Sequence, residues 1–475
     1  MNKTHGILWM LGLLLFTTVG FAATAPASVT MGTRHQLHSK ILGEDRVYSI
    51  HAPTGYQYNQ KRYPVLVVLD AEDNFIHTSA AVDVLTRNGR IPDLIVVGLD
   101  NTDRMRDLTP PTTGPMQTQS GGAAKFLSFI AEELLPQIDR TYPTRPYRIL
   151  IGHSLGGLFA VNALVTRPQV FNAYLAISPS LWWDDQSVVT AAKSFFESHK
   201  DLRGDLYMTI ADEGGDMLAA AWRLSAIMEE HRAPEFRWHF KRSEEESHGT
   251  IPYPSTYEGL QKLFEGFAMT STNDASQSPN PKAVEDHYAR FSKRMGYEVP
   301  VPLSAWMVAA RPFFRQGQLE KAGVLLRRAH ELAPRDPQPL LWLAQHSAEV
   351  KDDERGVDYL RQALAIAPGN PDARRLLELF PGRIEAPKDL ELSAKELSSY
   401  VGTYRAGKDA QKMVLENGRL FISDPFGRCE LHALTRDHFY CAHSDTQLIF
   451  HRNHRARITS VTMQYPEFSY ERVRE

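Results

Sequence analysis

An apolar run, Tyr147 to Ile151, leads directly into Gly152-His153-Ser154-Leu155-Gly156-Gly157, and an apolar helical pattern continues to Val165 and stops before Pro168. A strand that becomes a helix within a residue or two leaves no room for side chains where the two backbones meet, so glycines flank the turn. The run also commits the chain to layers. A strand that is apolar at every position is buried on both faces, and helices must supply that cover. The surroundings agree. Tyr63 to Leu69, Leu94 to Leu99, Ala173 to Ile177, Leu206 to Ile210 and Phe236 to Phe240 read as further strands. Phe126 to Ile138 is apolar at 126, 127, 130, 134, 135 and 138, the spacing of an amphipathic helix. The expected fold class is α/β, a mostly parallel sheet with helices on both faces.

The chain has 475 residues, enough for two or three domains. Thr270 to Pro281 reads TSTNDASQSPNP, a polar, proline-containing stretch that suits a linker crossed by few contacts. Beyond it, Ala322, Leu326, Ala329, Leu332 and Pro334 recur as Gly356, Leu360, Ala363, Ile366 and Pro368, and Asp336-Pro337 recurs as Asn370-Pro371. The period is about 34 residues, that of tetratricopeptide repeats. Two repeats leave apolar faces uncovered, so this segment should pack against a neighbouring domain or recruit a protein partner. From about Ser393, short strand-like runs alternate with turn signals such as Glu416-Asn417-Gly418, which reads as a small antiparallel β domain. Its opening, Leu392 to Leu397 and then Tyr400-Val401-Gly402-Thr403-Tyr404, resembles β modules appended to some serine hydrolases of the β-lactamase type. The expected organisation is a signal peptide at 1–25, an α/β domain at 30–269, a linker at 270–283, helical repeats at 284–385 and the β domain at 390–475.

Lys3 followed by the apolar run Ile7 to Phe21 and by Ala22, Ala23 and Ala25 has the form of an export signal. The run is short for a membrane span, so no stable span is expected after its removal, and the predicted location is the periplasm or outside the cell. The net charge of −3 argues against nucleic acid as a partner. The two cysteines, Cys429 and Cys441, fall on what read as neighbouring strands of the β domain, where an oxidising compartment would permit a bond.

The string around Ser154 is a weak signal alone and a specific one between a strand and a helix, the setting of a nucleophile elbow. There the serine hydroxyl projects above the sheet, beside the positive end of a helix. A serine needs a base, and the chain order of such sites places an acid next and a histidine last. Of 18 histidines, His248 lies in a loop beyond the final strand, whereas His239 alternates with apolar neighbours inside that strand. The acid should follow Leu206 to Ile210, where Asp212, Glu213 and Asp216 lie. Asp216 is placed to favour the next helix, so Glu213 is preferred. An oxyanion hole would use the backbone N–H of Leu155 and that of Ala71 or Glu72.

From about Arg46 to Phe267 the chain resembles the "Putative esterase" family of α/β hydrolases, which includes esterase D-like enzymes and esterases that open trilactone siderophores. The residues that carry the likeness are Val68-Leu69-Asp70, Asn88 to Pro92, Gly152 to Gly157, Ser178-Pro179-Ser180-Leu181-Trp182-Trp183 and Ser247-His248-Gly249. The resemblance implies Ser154 and His248 as catalytic residues and an oxyanion donor at Ala71, where relatives often have glycine. Some relatives work as a Ser–His pair without a strong acid. Trp182, Trp183, Arg104 and Arg106 are candidate substrate-pocket residues. No metal-ligand spacing, P-loop or dinucleotide fingerprint is present, so no cofactor or metal is expected. The sequence therefore predicts an exported serine esterase of a small-molecule ester. The alternatives are an acyltransferase, a trilactone esterase, or an inactive binding protein that acts through its repeats.

Overall fold

The computed structural model describes residues 30–475 except 54–55, 58–60, 114, 270–278, 385–387, 408, 425–426 and 466–467. The predicted signal peptide and most of the predicted linker lie outside the described residues. The first sheet has eight strands: β1 (Thr33–Ser39), β2 (Glu44–His51), β3 (Tyr63–Val68), β4 (Ile95–Leu99), β5 (Thr144–His153), β6 (Ala173–Ile177), β7 (Gly204–Ile210) and β8 (Phe236–Arg242). Their order is β1-β2-β4-β3-β5-β6-β7-β8. From β4 to β8 every neighbour is parallel, while β2 runs antiparallel to both β1 and β4. All residues of β3, β4 and β6 are buried, as their unbroken apolar runs demand. β1 reads TRHQLHS and is mostly exposed at the sheet edge, so it carries no apolar run to announce it.

The helix Leu155–Thr166 is buried at nearly every position and sits inside the core. The expected helix from Phe126 is longer than predicted. Ala123–Phe129 passes through a wide turn at Ile130–Leu134 into Leu135–Thr141, the wide turn coming just before Pro136, which has no N–H for an α-turn.

Helix Pro281–Met295 begins inside the predicted linker, where the Asn280 side chain accepts from the Ala283 N–H at 2.9 Å. Helices Leu303–Arg315, Leu319–Leu332, Pro337–Glu349, Asp353–Ile366 and Pro371–Leu376 follow. The repeated small and apolar positions Ala322, Leu326, Ala329, Gly356, Leu360 and Ala363 are all buried. The sparse contact expected across the linker is not what the structure has. Tyr147, Phe264 and Phe267 share one core with Tyr288, Phe291 and Trp306. Phe267 stands edge-on to Tyr288 and Phe291 at 5.8 and 5.5 Å, and Tyr288 donates to the Phe267 carbonyl at 2.7 Å. Arg294 donates to the Glu265 carbonyl at 2.7 Å. The helices leave an apolar face, and the first sheet's outer helix Pro252–Leu263 and the residues that follow it are what cover it.

The last part is a closed antiparallel barrel of β9 (Gly402–Ala406), β10 (Asp409–Glu416), β11 (Arg419–Asp424), β12 (Gly427–Thr435), β13 (His438–Cys441), β14 (Gln447–Arg452), β15 (Ile458–Gln464) and β16 (Ser469–Arg474). β16 pairs with β9 and completes the ring. Tyr404, Met413, Phe439, Leu448 and Phe450 fill the interior. Cys429 and Cys441 are bonded, with Cα atoms 5.8 Å apart. The barrel docks on the helices, Asn370 donating to Asp445 at 2.6 Å. Among the described residues no helix is long and apolar enough to cross a membrane.

Candidate active site

The carboxyl ends of β3, β5, β6, β7 and β8 face one edge of the sheet, and the loops that leave them gather there. Ser154 lies between β5 and helix Leu155–Thr166 with φ 59° and ψ −116°. A serine held in this region costs about 1–3 kcal/mol and persists only where its surroundings fix it. They do so on both sides. Its N–H donates to the Ile177 carbonyl at 2.9 Å, and its carbonyl accepts from the N–H of Ser180 and of Leu158, each at 3.0 Å. The turn depends on Gly152, where a Cβ would stand 2.1 Å from the Gly156 carbonyl oxygen. Gly157 is nearly as confined, with Pro179 Cα 2.9 Å from its would-be Cβ.

Glu213 and His248 meet although 35 residues separate them, because β7 and β8 are parallel neighbours whose following loops are stitched together. Ser243 N–H donates to the Ile210 carbonyl at 2.8 Å and Asp212 N–H to that of Glu246 at 2.9 Å. His248 Nδ1 hydrogen-bonds Glu213 Oε1. The Glu213 side chain is largely buried, whereas that of His248 is 42% exposed and open to an incoming molecule. Asp216 is exposed in the first turn of helix Gly215–Glu230, where its charge suits the helix end. His239 lies within β8, opposite Tyr207, and not in the loop.

Ser154 Oγ hydrogen-bonds Ser180 Oγ at 3.3 Å, and no hydrogen bond joins it to His248 in this arrangement. The link between the two is His153, whose ring lies 4.5 Å from that of His248. The sequence marks neither Ser180 nor His153 by its chemistry, although both sit inside the motifs at Gly152 to Gly157 and Ser178 to Trp183.

Two helices begin close together here. Leu155 and Ala71 are each the first residue of a helix, so their N–H groups have no acceptor within it. The two helix starts touch, since a Cβ on Gly156 would be 3.3 Å from Asp70 Oδ2. Asp70 holds the second start in place from a left-handed conformation (φ 52°), accepting from Arg104 at 2.7 and 2.9 Å and from Asn101 at 2.8 Å. Arg104 also donates to the His153 carbonyl at 3.3 Å.

The pocket candidates divide. Trp182 is 42% exposed two residues beyond Ser180. Trp183 is a correction: it is buried in the core, and its indole N–H donates to the Pro110 carbonyl at 3.1 Å. Arg106 is another. Its guanidinium is bound to Glu44 at 2.6 Å and to buried Asp107 at 2.7 Å, a brace beneath the loop and not a free cation. Arg104 is near the site but committed to Asp70, whose hydrogen bonds strengthen its hold on the proton.

Residues 39–254 match the family described as "Putative esterase". The crystal structure of an IroE-like serine hydrolase from Shewanella oneidensis superposes with a TM-score of 0.55 at 30% identity, covering 64% of this chain and 100% of that one. The siderophore enterobactin esterase of Emericella nidulans is 40% identical over 121 residues, 22% of this chain and 40% of that protein. The ferri-bacillibactin esterase of Bacillus subtilis is 36% identical over 153 residues, 28% of this chain and 53% of that protein. The chain thus spans about half the length of these curated relatives.

Proposed function

The chain belongs to the esterase family it matches, and from that premise we propose that it is a carboxylic ester hydrolase with Ser154 as its nucleophile, His248 as its general base and Glu213 as the acid that orients the base. The observation that carries this reading is the Glu213–His248 hydrogen bond at the mouth of the elbow. Glu213 fixes the tautomer in which Nδ1 carries the proton, leaving Nε2 free to accept one. Ser154 rotates away from Ser180 and attacks the ester carbonyl, and His248 takes the hydroxyl proton. The oxygen that becomes negative is received by the N–H groups of Leu155 and Ala71. His248 returns the proton to the departing alcohol, water then attacks the acyl-enzyme, and the acid is released.

For the substrate we propose a siderophore-type cyclic triester. The names of the relatives and the exposure of His248 support it, because a large ring needs an open mouth. Export is part of the reading, supported by the Cys429–Cys441 bond. So is a tetratricopeptide-like class for the helices, supported by the 34-residue spacing. The test is to incubate the purified protein with a fluorophosphonate probe, a short nitrophenyl ester, and cyclic and linear triesters. Expected are a single label on Ser154, hydrolysis of the small ester, and faster opening of the cyclic triester. Labelling elsewhere defeats the site; indifference to the triesters defeats only the substrate.

Glu213→Gln is expected to lower kcat by about 10- to 10⁴-fold, since the acid orients the base and does not react. Asp216→Asn should change little. A damaging Asp216→Asn with a harmless Glu213→Gln moves the acid to the helix.

A further inference from the structure

Nothing in the proposed chemistry uses His153. It ends β5, next to Ser154. Its ring lies 4.5 Å from the ring of His248 at 44° between planes. Its Nε2 is buried and has no hydrogen-bond partner. A buried ring nitrogen left unsatisfied is costly, so hydrogen bonding at that nitrogen does not explain the residue. Burial pushes its pKa down to about 4, with the nearby His248 adding to the fall and a hydrogen bond to the His248 backbone opposing it. The charged groups that bear on it are His248 from the loop after β8, Asp70 from the turn after β3 and Arg104 from the loop after β4. Glu213 lies beyond, on the other side of His248.

We propose that His153 is a positioning residue, an uncharged ring that His248 rests against so that its imidazole keeps the plane set by Glu213 and its Nε2 stays aimed at Ser154. This rests on the reading of Ser154 and His248 above. His248 is 42% exposed and is tied by one side-chain hydrogen bond, which leaves the ring free to swing about that bond unless something flanks it. His153 is the ring found against it. Its neutrality matters in the same place. The imidazolium formed during the reaction would be opposed by a second positive charge at this separation, and a neutral ring brings none. His153 in turn is anchored by its backbone, through Arg104, to the Asp70 turn that carries Ala71. One residue thus joins the base, the nucleophile's strand and the second oxyanion donor.

The experiment compares His153→Ala and His153→Phe in the full chain, reading kcat and KM on a small ester together with the rate of fluorophosphonate labelling. Removing the ring should lower kcat about 30-fold and slow labelling in parallel, with KM within twofold. The Phe variant restores a flat neutral ring without the hydrogen bond to the His248 backbone, and because the ring contact is what holds the base, it should recover kcat to within about threefold of the parent. If folded His153→Ala keeps full kcat, the proposal is overturned. It is equally overturned if His153→Phe, folded by circular dichroism, is as slow as the Ala variant, or if the loss lies in KM alone. Failure of the parent reading would look different: the unsubstituted protein would not label on Ser154 at all.

Discussion

Ser154→Ala should reduce kcat for ester hydrolysis by about 10⁴-fold or more while leaving the protein folded. The fold should survive because the strain at this position is in the backbone, and alanine meets the same left-handed conformation as serine. What the substitution removes is the hydroxyl, whose partner in the resting structure is Ser180 alone. The loss of that 3.3 Å contact is a small stability term beside the loss of the nucleophile. His248→Ala should cost a similar factor, and the double substitution should be little worse than either, because residues that act as a unit do not add. Residual turnover above the water rate would report what the Leu155 and Ala71 donors contribute without a nucleophile. The check is kcat on one small ester for the three variants, each with circular dichroism and a thermal melt. A folded Ser154→Ala protein that still turns over at the parent rate would refute the assignment.

The second large effect concerns stability. A fragment of residues 30–269 keeps every proposed site residue and the whole first sheet, and it should nevertheless fail to fold as a soluble unit. Phe264, Phe267 and Tyr147 would lose the cover of Tyr288, Phe291 and Trp306. Re-exposing three aromatic side chains costs about 1.5–3 kcal/mol each, a sum comparable to the whole stability of an ordinary domain. The carbonyls of Glu265, Gly266 and Phe267 lose the donors from Arg294, His287 and Tyr288 as well. A second fragment, residues 30–376, retains the helices from Pro281–Met295 to Pro371–Leu376, and it should recover solubility and a cooperative melt. Gel filtration and a thermal melt of both fragments decide the matter. A soluble 30–269 fragment that melts cooperatively near the parent temperature would show that the shared core is dispensable.

How far the sequence alone reaches follows from burial. β3, β4 and β6 announce themselves because a strand covered on both faces must be apolar at each position. β1, β9 and β16 do not, because edge or barrel strands alternate with solvent and carry polar residues such as those of TRHQLHS and SYERVR. Without β9 and β16 the last part reads as a sheet, and closure into a barrel is invisible. Around the site, Ser154 and His248 are marked by local strings in loops. Glu213 is picked from three carboxylates only because Asp216 suits a helix start. His153 and Ser180 lie inside local strings that do not state what they do; their contacts come from which rings and hydroxyls the folded loops bring together. Trp183 and Arg106 mislead for the converse reason. Tryptophan and arginine are as useful for filling a core or bracing a loop as for meeting a substrate, and only the partners Pro110 and Glu44 reveal which.

The closed barrel has a consequence for how the protein is made. β9 and β16 are the first and last strands of the ring, and Arg405 bonds Glu475, 70 residues further along the chain. A ribosome delivers residues in order, so until β16 emerges the strands from β9 onward form an open ribbon with two unpaired rims. Pairing partners so distant in sequence also meet slowly, because a long loop must close before the contact repays it. The first sheet has no such wait for its strands, all of which are made by Arg242, but it does wait for helix Leu303–Arg315 to supply Trp306. Synthesis should therefore show two distinct commitments, protease resistance of the catalytic half soon after residue 315 and of the remainder only once β16 is free. Stalled chains that end between these points would carry a finished site and an unfinished, association-prone tail.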